Sequence, residues 1–198
     1  MLDVVGGIIF VIFIIFYVIT IRKEKWSTKK ITIIALCAAL GYVLSMITFI
    51  RLPQDGGVSL APMMPIILVA YIYGLGAGMT TGLVYAFLKI FNFMYILTPV
   101  QFLLEYFMSP MIVAIACKFG KNSKIQILLG SALALTVRFS IHFIVGATYF
   151  KEYAGTENPW IYSFFYNGPV ALIEGIITCV ILVVLPIPLI IKHLKVKS

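Results

Sequence analysis

Residues 58–88 read VSLAPMMPIILVAYIYGLGAGMTTGLVYAFL, and the absence of any charge in this stretch decides what kind of molecule the chain is. A helix crosses a hydrocarbon core of about 30 Å with about 20 residues, so the run is too long for one crossing and suits two short ones. Glycines 74, 76, 78 and 82 interrupt its second half. Their spacing predicts a tight turn near 74–76 between two short helices. Working outward, apolar runs at 4–21, 31–50, 99–117, 125–150 and 162 to about 191 each predict one span, seven crossings in all with the pair inside 58–88.

The 198 residues are 62% apolar and only 11% charged, with a mean hydropathy of +1.10. An ordinary soluble domain carries about 25% charged residues, so this chain lacks the polar material to cover a water-facing surface. The expected class is an all-α, multi-pass membrane protein. Most of the fifteen Lys and Arg fall in three clusters beside apolar runs: Arg22, Lys23, Lys25, Lys29 and Lys30; Lys118, Lys121 and Lys124; Lys192, Lys195 and Lys197. Short basic loops mark the cytoplasmic face. That places the amino terminus outside and the carboxyl terminus inside, as an odd number of crossings requires.

The outer segments 51–61, 91–98 and 151–161 then hold Asp55, Glu152 and Glu157 against Arg51 and Lys151. Clusters of bases in short loops beside membrane spans argue against a nucleic-acid partner. The amino end has no basic n-region and no small-residue cleavage site follows it, so the first span reads as a retained anchor. Residues 1–30 are accordingly an anchor with a basic cytoplasmic linker, and 31–198 a six-span bundle.

Catalytic chemistry finds no support. Cys37, Cys117 and Cys179 are far apart and give neither a disulfide framework nor a metal site. There is no Walker-type loop and no soluble stretch to hydrolyse ATP. The Gly74-x-Gly76-x-Gly78 series lacks the preceding strand and the following acidic residue of a dinucleotide fingerprint. No cofactor is expected.

Ionisable groups inside spans are costly and mark sites by default. They are Glu105, Arg138, His142 and Glu174, while Lys89 near a span end reads as a snorkelling side chain. Helix rise puts Glu105 about 9 Å, Asn167 about 8 Å and His142 about 12 Å below the outer surface, so three helices bring polar groups to one level. Tyr106, Tyr149, Phe150, Trp160, Tyr162 and Tyr166 occupy the same zone. A carboxylate among aromatic faces suits a flat aromatic cation. Plainer readings stand beside this one: interfacial aromatics form ordinary belts, Arg138 pairs with Glu105 or Glu174 as a structural partner, and Asn167 caps a helix begun by Gly168-Pro169. Ala35 and Ala39 make a small-xxx-small face, which lets helices approach closely.

Four stretches, LPQDGGVSLAPMMPI (52–66), TPVQFLLEYF (98–107), VRFSIHFIVG (137–146) and NPWIYSFFYNG (158–168), give residues 31–191 a resemblance to the thiamine-specific substrate-binding (S) subunits of energy-coupling-factor (ECF) vitamin importers. The resemblance implies a six-helix S-component bundle that binds thiamine and works with a transmembrane coupling protein and two ATPase subunits in the cell membrane. It implies that Glu105 and Tyr106 are the acidic–aromatic pair on the ligand, with His142, Tyr162 and Asn167 as further polar contacts. It also implies that the first outer loop is a lid and that Ala35 and Ala39 dock on the energising module. Alignment offers Phe150 as the stacking ring. Helical phase offers Tyr149, which shares the face of His142 while Phe150 is turned by about 80°. The tryptophan that some members carry in the first outer loop is absent, and the amino-terminal span is extra to the six-helix plan. Other readings are a stand-alone proton-coupled importer relaying protons through Glu105 and His142, an S subunit for a thiamine precursor, and an intramembrane enzyme or assembly factor.

Overall fold

In hydrocarbon a backbone amide has no water to bond, so each apolar run closes its hydrogen bonds within a helix. The computed structural model describes residues 2–54, 56–92 and 94–196; Asp55, Lys197 and the Lys195 side chain lie outside the described residues. In chain order the elements are α1 (Leu2–Arg22), α2 (Thr28–Met46), β1 (Thr48–Arg51), β2 (Gly57–Ser59), α3 (Met64–Tyr73), α4 (Leu75–Lys89), α5 (Pro99–Phe119), α6 (Lys124–Tyr149), α7 (Pro159–Val184) and α8 (Ile187–Val196). Helices α1, α2, α5, α6 and α7 are long and apolar enough to cross a membrane.

Helices α3 and α4 are the short pair expected inside 58–88. They turn about Gly74, whose φ of +99° is open to glycine and strained for other residues. Most of α3 is buried. Its Ile66, Ile67 and Tyr71 meet Val113 and Ala116 of α5, Ile127 of α6 and Leu182 of α7 in the main core. The Tyr71 hydroxyl donates to the Ile127 carbonyl at 3.0 Å and lies 3.2 Å from Ser131 Oγ, so the buried phenol is satisfied. A Cβ at Gly82 would stand 2.5 Å from the Pro110 carbonyl oxygen, so α4 meets α5 backbone to backbone.

Two boundaries differ from expectation. The span expected over 31–50 stops at Met46, and Thr48–Arg51 pairs antiparallel with Gly57–Ser59, Thr48 opposite Ser59 and Arg51 opposite Gly57. Thr48, Phe49 and Ile50 are strand formers, and the Gly56 amide donates to the Pro53 carbonyl at 3.1 Å to turn the chain back. The span expected to reach about 191 ends at Val184, because Pro186 holds Leu185 at ψ 134°, outside the helical region. The remainder is α8, which buries Ile187 and exposes Lys192 and His193.

Helix α5 is regular only in part. Over Leu103–Met108 its turns widen to the π spacing, and over Val113–Phe119 they tighten to the 3-10 spacing. Pro110 explains the first change: it has no N–H for the Tyr106 carbonyl, and its ring would crowd that carbonyl in a regular helix. Helix α1 packs along α4 and α5, burying Phe13 and Tyr17 against Met79 and Met111. The Tyr17 hydroxyl lies 3.1 Å from Thr80 Oγ1. At the end of the bundle opposite the hairpin, Lys30 pairs with Glu24 and stands 5.7 Å over the Tyr73 ring. The outward face of α1, including Ile8, Ile12 and Ile15, is exposed as a lipid-facing helix requires.

Candidate functional site

Glu105 sits on the widened segment of α5, a distortion that often marks functional positions in helices. Gln101, one turn earlier, donates its amide to Glu105 Oε2. His142 of α6 brings Nδ1 to 3.3 Å from Glu105 Oε1, and its Nε2 lies 2.8 Å from Ser109 Oγ. Asn167 of α7 donates Nδ2 to the His142 carbonyl at 3.4 Å and to Ser163 Oγ at 3.2 Å. Three helices thus meet at one level through direct contacts.

These groups border a cavity of about 180 Å³ at the end of the bundle that carries the hairpin. Glu105, Tyr106, His142, Phe150, Tyr162 and Asn167 line it. Tyr162 stacks on Tyr166 with centroids 5.9 Å apart. Lys89, Arg138 and Glu174 also reach the wall, so Lys89 faces this cavity rather than serving only as an interfacial anchor. The hairpin contributes Gln54, Gly56, Gly57 and Ser59 and forms the roof, where Tyr166 donates to the Pro53 carbonyl.

Tyr149 and Phe150 are placed differently because the helix stops between them. Tyr149 is the last residue of α6 and turns toward α1, its hydroxyl 3.1 Å from the position a Cβ would take on Gly6. Phe150 is among the residues that line the cavity and Tyr149 is not. Phe150 has left the helix, at φ −98° and ψ 15°, so helical phase no longer governs its ring. Its ring lies 6.2 Å from Tyr95 and 6.0 Å from Tyr153. Outside the spans, the Tyr153 phenol is held above its ordinary pKa by its hydrogen bond to Tyr95.

Of the plainer readings, the cap at Asn167 fails and the pairing of Arg138 with Glu174 holds. Asn167 is no cap, because α7 runs unbroken from Pro159 and its cap is Asn158, which accepts from the Trp160 amide at 2.9 Å. Arg138 pairs with Glu174, NH1 to Oε2 at 3.8 Å, and not with Glu105. Ala35 and Ala39 lie on the exposed side of α2 beside Ile31, Leu36 and Leu40.

Sequence reasoning misses Gln101, Ser109 and Ser163. Gln101 is fully buried, accepting from the Leu97 amide at 3.1 Å and donating to the Tyr95 carbonyl at 3.3 Å. The signal was available: Gln101 and Ser109 stand four residues either side of Glu105, and Ser163 four before Asn167, all on shared faces. A carboxylate in an aromatic, partly enclosed cavity can hold a flat organic cation by charge, directional hydrogen bonds and stacking.

Comparison with known proteins adds a second line. Residues 31–193 match the family described as thiamine transporter protein (Thia_YuaJ). The chain is 30% identical over 173 residues to the thiamine transporter ThiT of Bacillus subtilis (strain 168), covering 77% of this chain and 90% of that protein. Its fold is similar to the solved structure of ThiT from Listeria monocytogenes, with a TM-score of 0.67 at 21% identity over 78% of this chain and 91% of that one. Helix α1 precedes the residues matched to the family.

Proposed function

This chain belongs to the thiamine transporter protein family, and from that membership we propose that it is the membrane-embedded, thiamine-binding S subunit of an ECF-type importer. As a member of a transporter family it moves its substrate and does not transform it. The subunit takes thiamine from outside and passes it inward with a coupling protein and two ATPase subunits. The observation that carries this reading is Glu105 on the wall of an aromatic cavity, bonded directly to His142.

Thiamine joins an aminopyrimidine to a thiazolium cation. Glu105 supplies charge and hydrogen bonding, and His142 and Asn167 supply directional polar contacts. Tyr106, Tyr162 and Phe150 supply π-faces. The hairpin 48–59 closes over the ligand. The exposed Ala35/Ala39 face of α2 allows a coupling helix to approach closely, which would make it the docking surface.

Isothermal titration of the purified chain with thiamine tests the reading. Saturable binding is expected, weakened in Glu105→Gln, while heat-free titrations of the folded protein would refute it. Competition with the separate pyrimidine and thiazole halves distinguishes thiamine from a precursor. Uptake that needs ATP rather than a proton gradient distinguishes the importer from a stand-alone carrier.

A further inference from the structure

Arg138 and Glu174 are the intramembrane charges that ligand capture leaves unused. Glu174 is only 6% exposed. Its Oε1 accepts from the Ser59 backbone amide at 2.6 Å, and its Oε2 faces Arg138 at 3.8 Å. Ser59 is the last residue of β2, so a buried carboxylate on α7 holds the inner end of the roof.

The outer end of the same hairpin is attached to the same helix by a different kind of bond. Tyr166 donates to the Pro53 carbonyl at an exposed position. Tyr166 and Glu174 are eight residues apart, about 12 Å along the helix. Both partners at the outer attachment can be rehydrated when it breaks, which makes that bond cheap to open. At the inner attachment, separation leaves the Ser59 N–H and one oxygen of a carboxylate only 6% exposed without their mutual bond, which costs more. Just beyond Ser59, Ala61 holds φ +51°, an uncommon conformation for a residue with a Cβ, and this fixes the bend into α3. A two-stranded hairpin has little stability of its own. Its position therefore depends on these attachments.

We propose that Glu174, held by Arg138, is the fixed inner anchor of the hairpin, and that Tyr166–Pro53 is its releasable outer latch, so that the roof opens as a flap hinged at Ser59. Glu174 is a positioning residue here, acting on the ligand through the hairpin. The gating half of this inference rests on the binding function proposed above; the anchor does not.

The test is hydrogen–deuterium exchange on the full, ligand-free chain in lipid nanodiscs, followed by thiamine dissociation kinetics. Glu174→Leu removes the acceptor. Ser59→Pro removes the donor and leaves both charges in place, which covers the case in which Glu174→Leu fails to fold. Each is expected to speed amide exchange across residues 57–60 by roughly tenfold to a hundredfold and to quicken thiamine release. Tyr166→Phe should loosen 52–56 and spare 57–60. Wild-type exchange at 57–60 in Ser59→Pro overturns the anchor. Faster exchange with wild-type thiamine release overturns the gating. A wild-type chain that binds no thiamine defeats the functional reading, while the exchange data still judge the anchor.

Discussion

Glu105 and Glu174 are both carboxylates within membrane-spanning helices, and the fold furnishes them in opposite ways. Glu105 lies on widened helical turns and is held by Gln101, which carries no charge, and by His142. Glu174 lies on regular helix and faces Arg138, whose charge is permanent, while a backbone amide takes its other oxygen. Under the proposed function, one carboxylate is oriented and left for an arriving cation. The other is matched by the protein itself and serves as structure. A charge inside a membrane is thus assigned to ligand or to fold by the partner beside it, not by its depth.

The largest effect should come from breaking the structural pair. Arg138→Met leaves Glu174 uncompensated; breaking a fully buried pair costs about 3–5 kcal/mol, and the partial exposure of Arg138 brings the expected cost below that range. The expected result is a clear fall in the thermal midpoint, largely recovered in the Arg138→Met/Glu174→Met double variant, because apolar replacement of a whole pair is close to neutral. Equal melting of the single and double variants would show that the pair carries no such charge.

Next comes the ligand-facing carboxylate. Glu105→Gln should weaken thiamine binding by about 1.5–3 kcal/mol, roughly tenfold to a hundredfold, with little change in melting. A thermal shift as large as that of Arg138→Met would erase the contrast between the two carboxylates. A smaller effect is expected one turn away. Gln101→Leu removes the donor that orients Glu105 and should cost about 1 kcal/mol, near fivefold in affinity by calorimetry. The smallest contrast separates neighbours: Phe150→Ala should lose about 0.5–1.5 kcal/mol of stacking, and Tyr149→Phe should bind within about twofold of wild type. Reversed affinities would return the stacking role to Tyr149.

What the sequence reveals, it reveals through regularity. Helix rise from the outer ends of the spans suffices to bring Glu105, His142 and Asn167 to one level, because α6 and α7 are regular helices between them. The turn at Gly74 is legible because only glycine adopts its φ cheaply. Where regularity fails, so does the reading. Phase arithmetic favours Tyr149 because it assumes a helix that in fact ends there. Thr48–Arg51 looks like the tail of a span because apolar composition does not distinguish a strand from a helix over so few residues. Gln101 escapes composition, and only its spacing of four from Glu105 points to it.

The seat of α1 has a consequence for how the molecule is made. Its hydroxyl contact is with Thr80, and Gly6 rests against Val100, residues that leave the ribosome long after the first helix does. During synthesis that helix must hold its place in the bilayer by greasiness alone, with no groove yet built to receive it. Its docking is therefore a late event in biogenesis, completed only once the segment bearing Glu105 has itself been inserted.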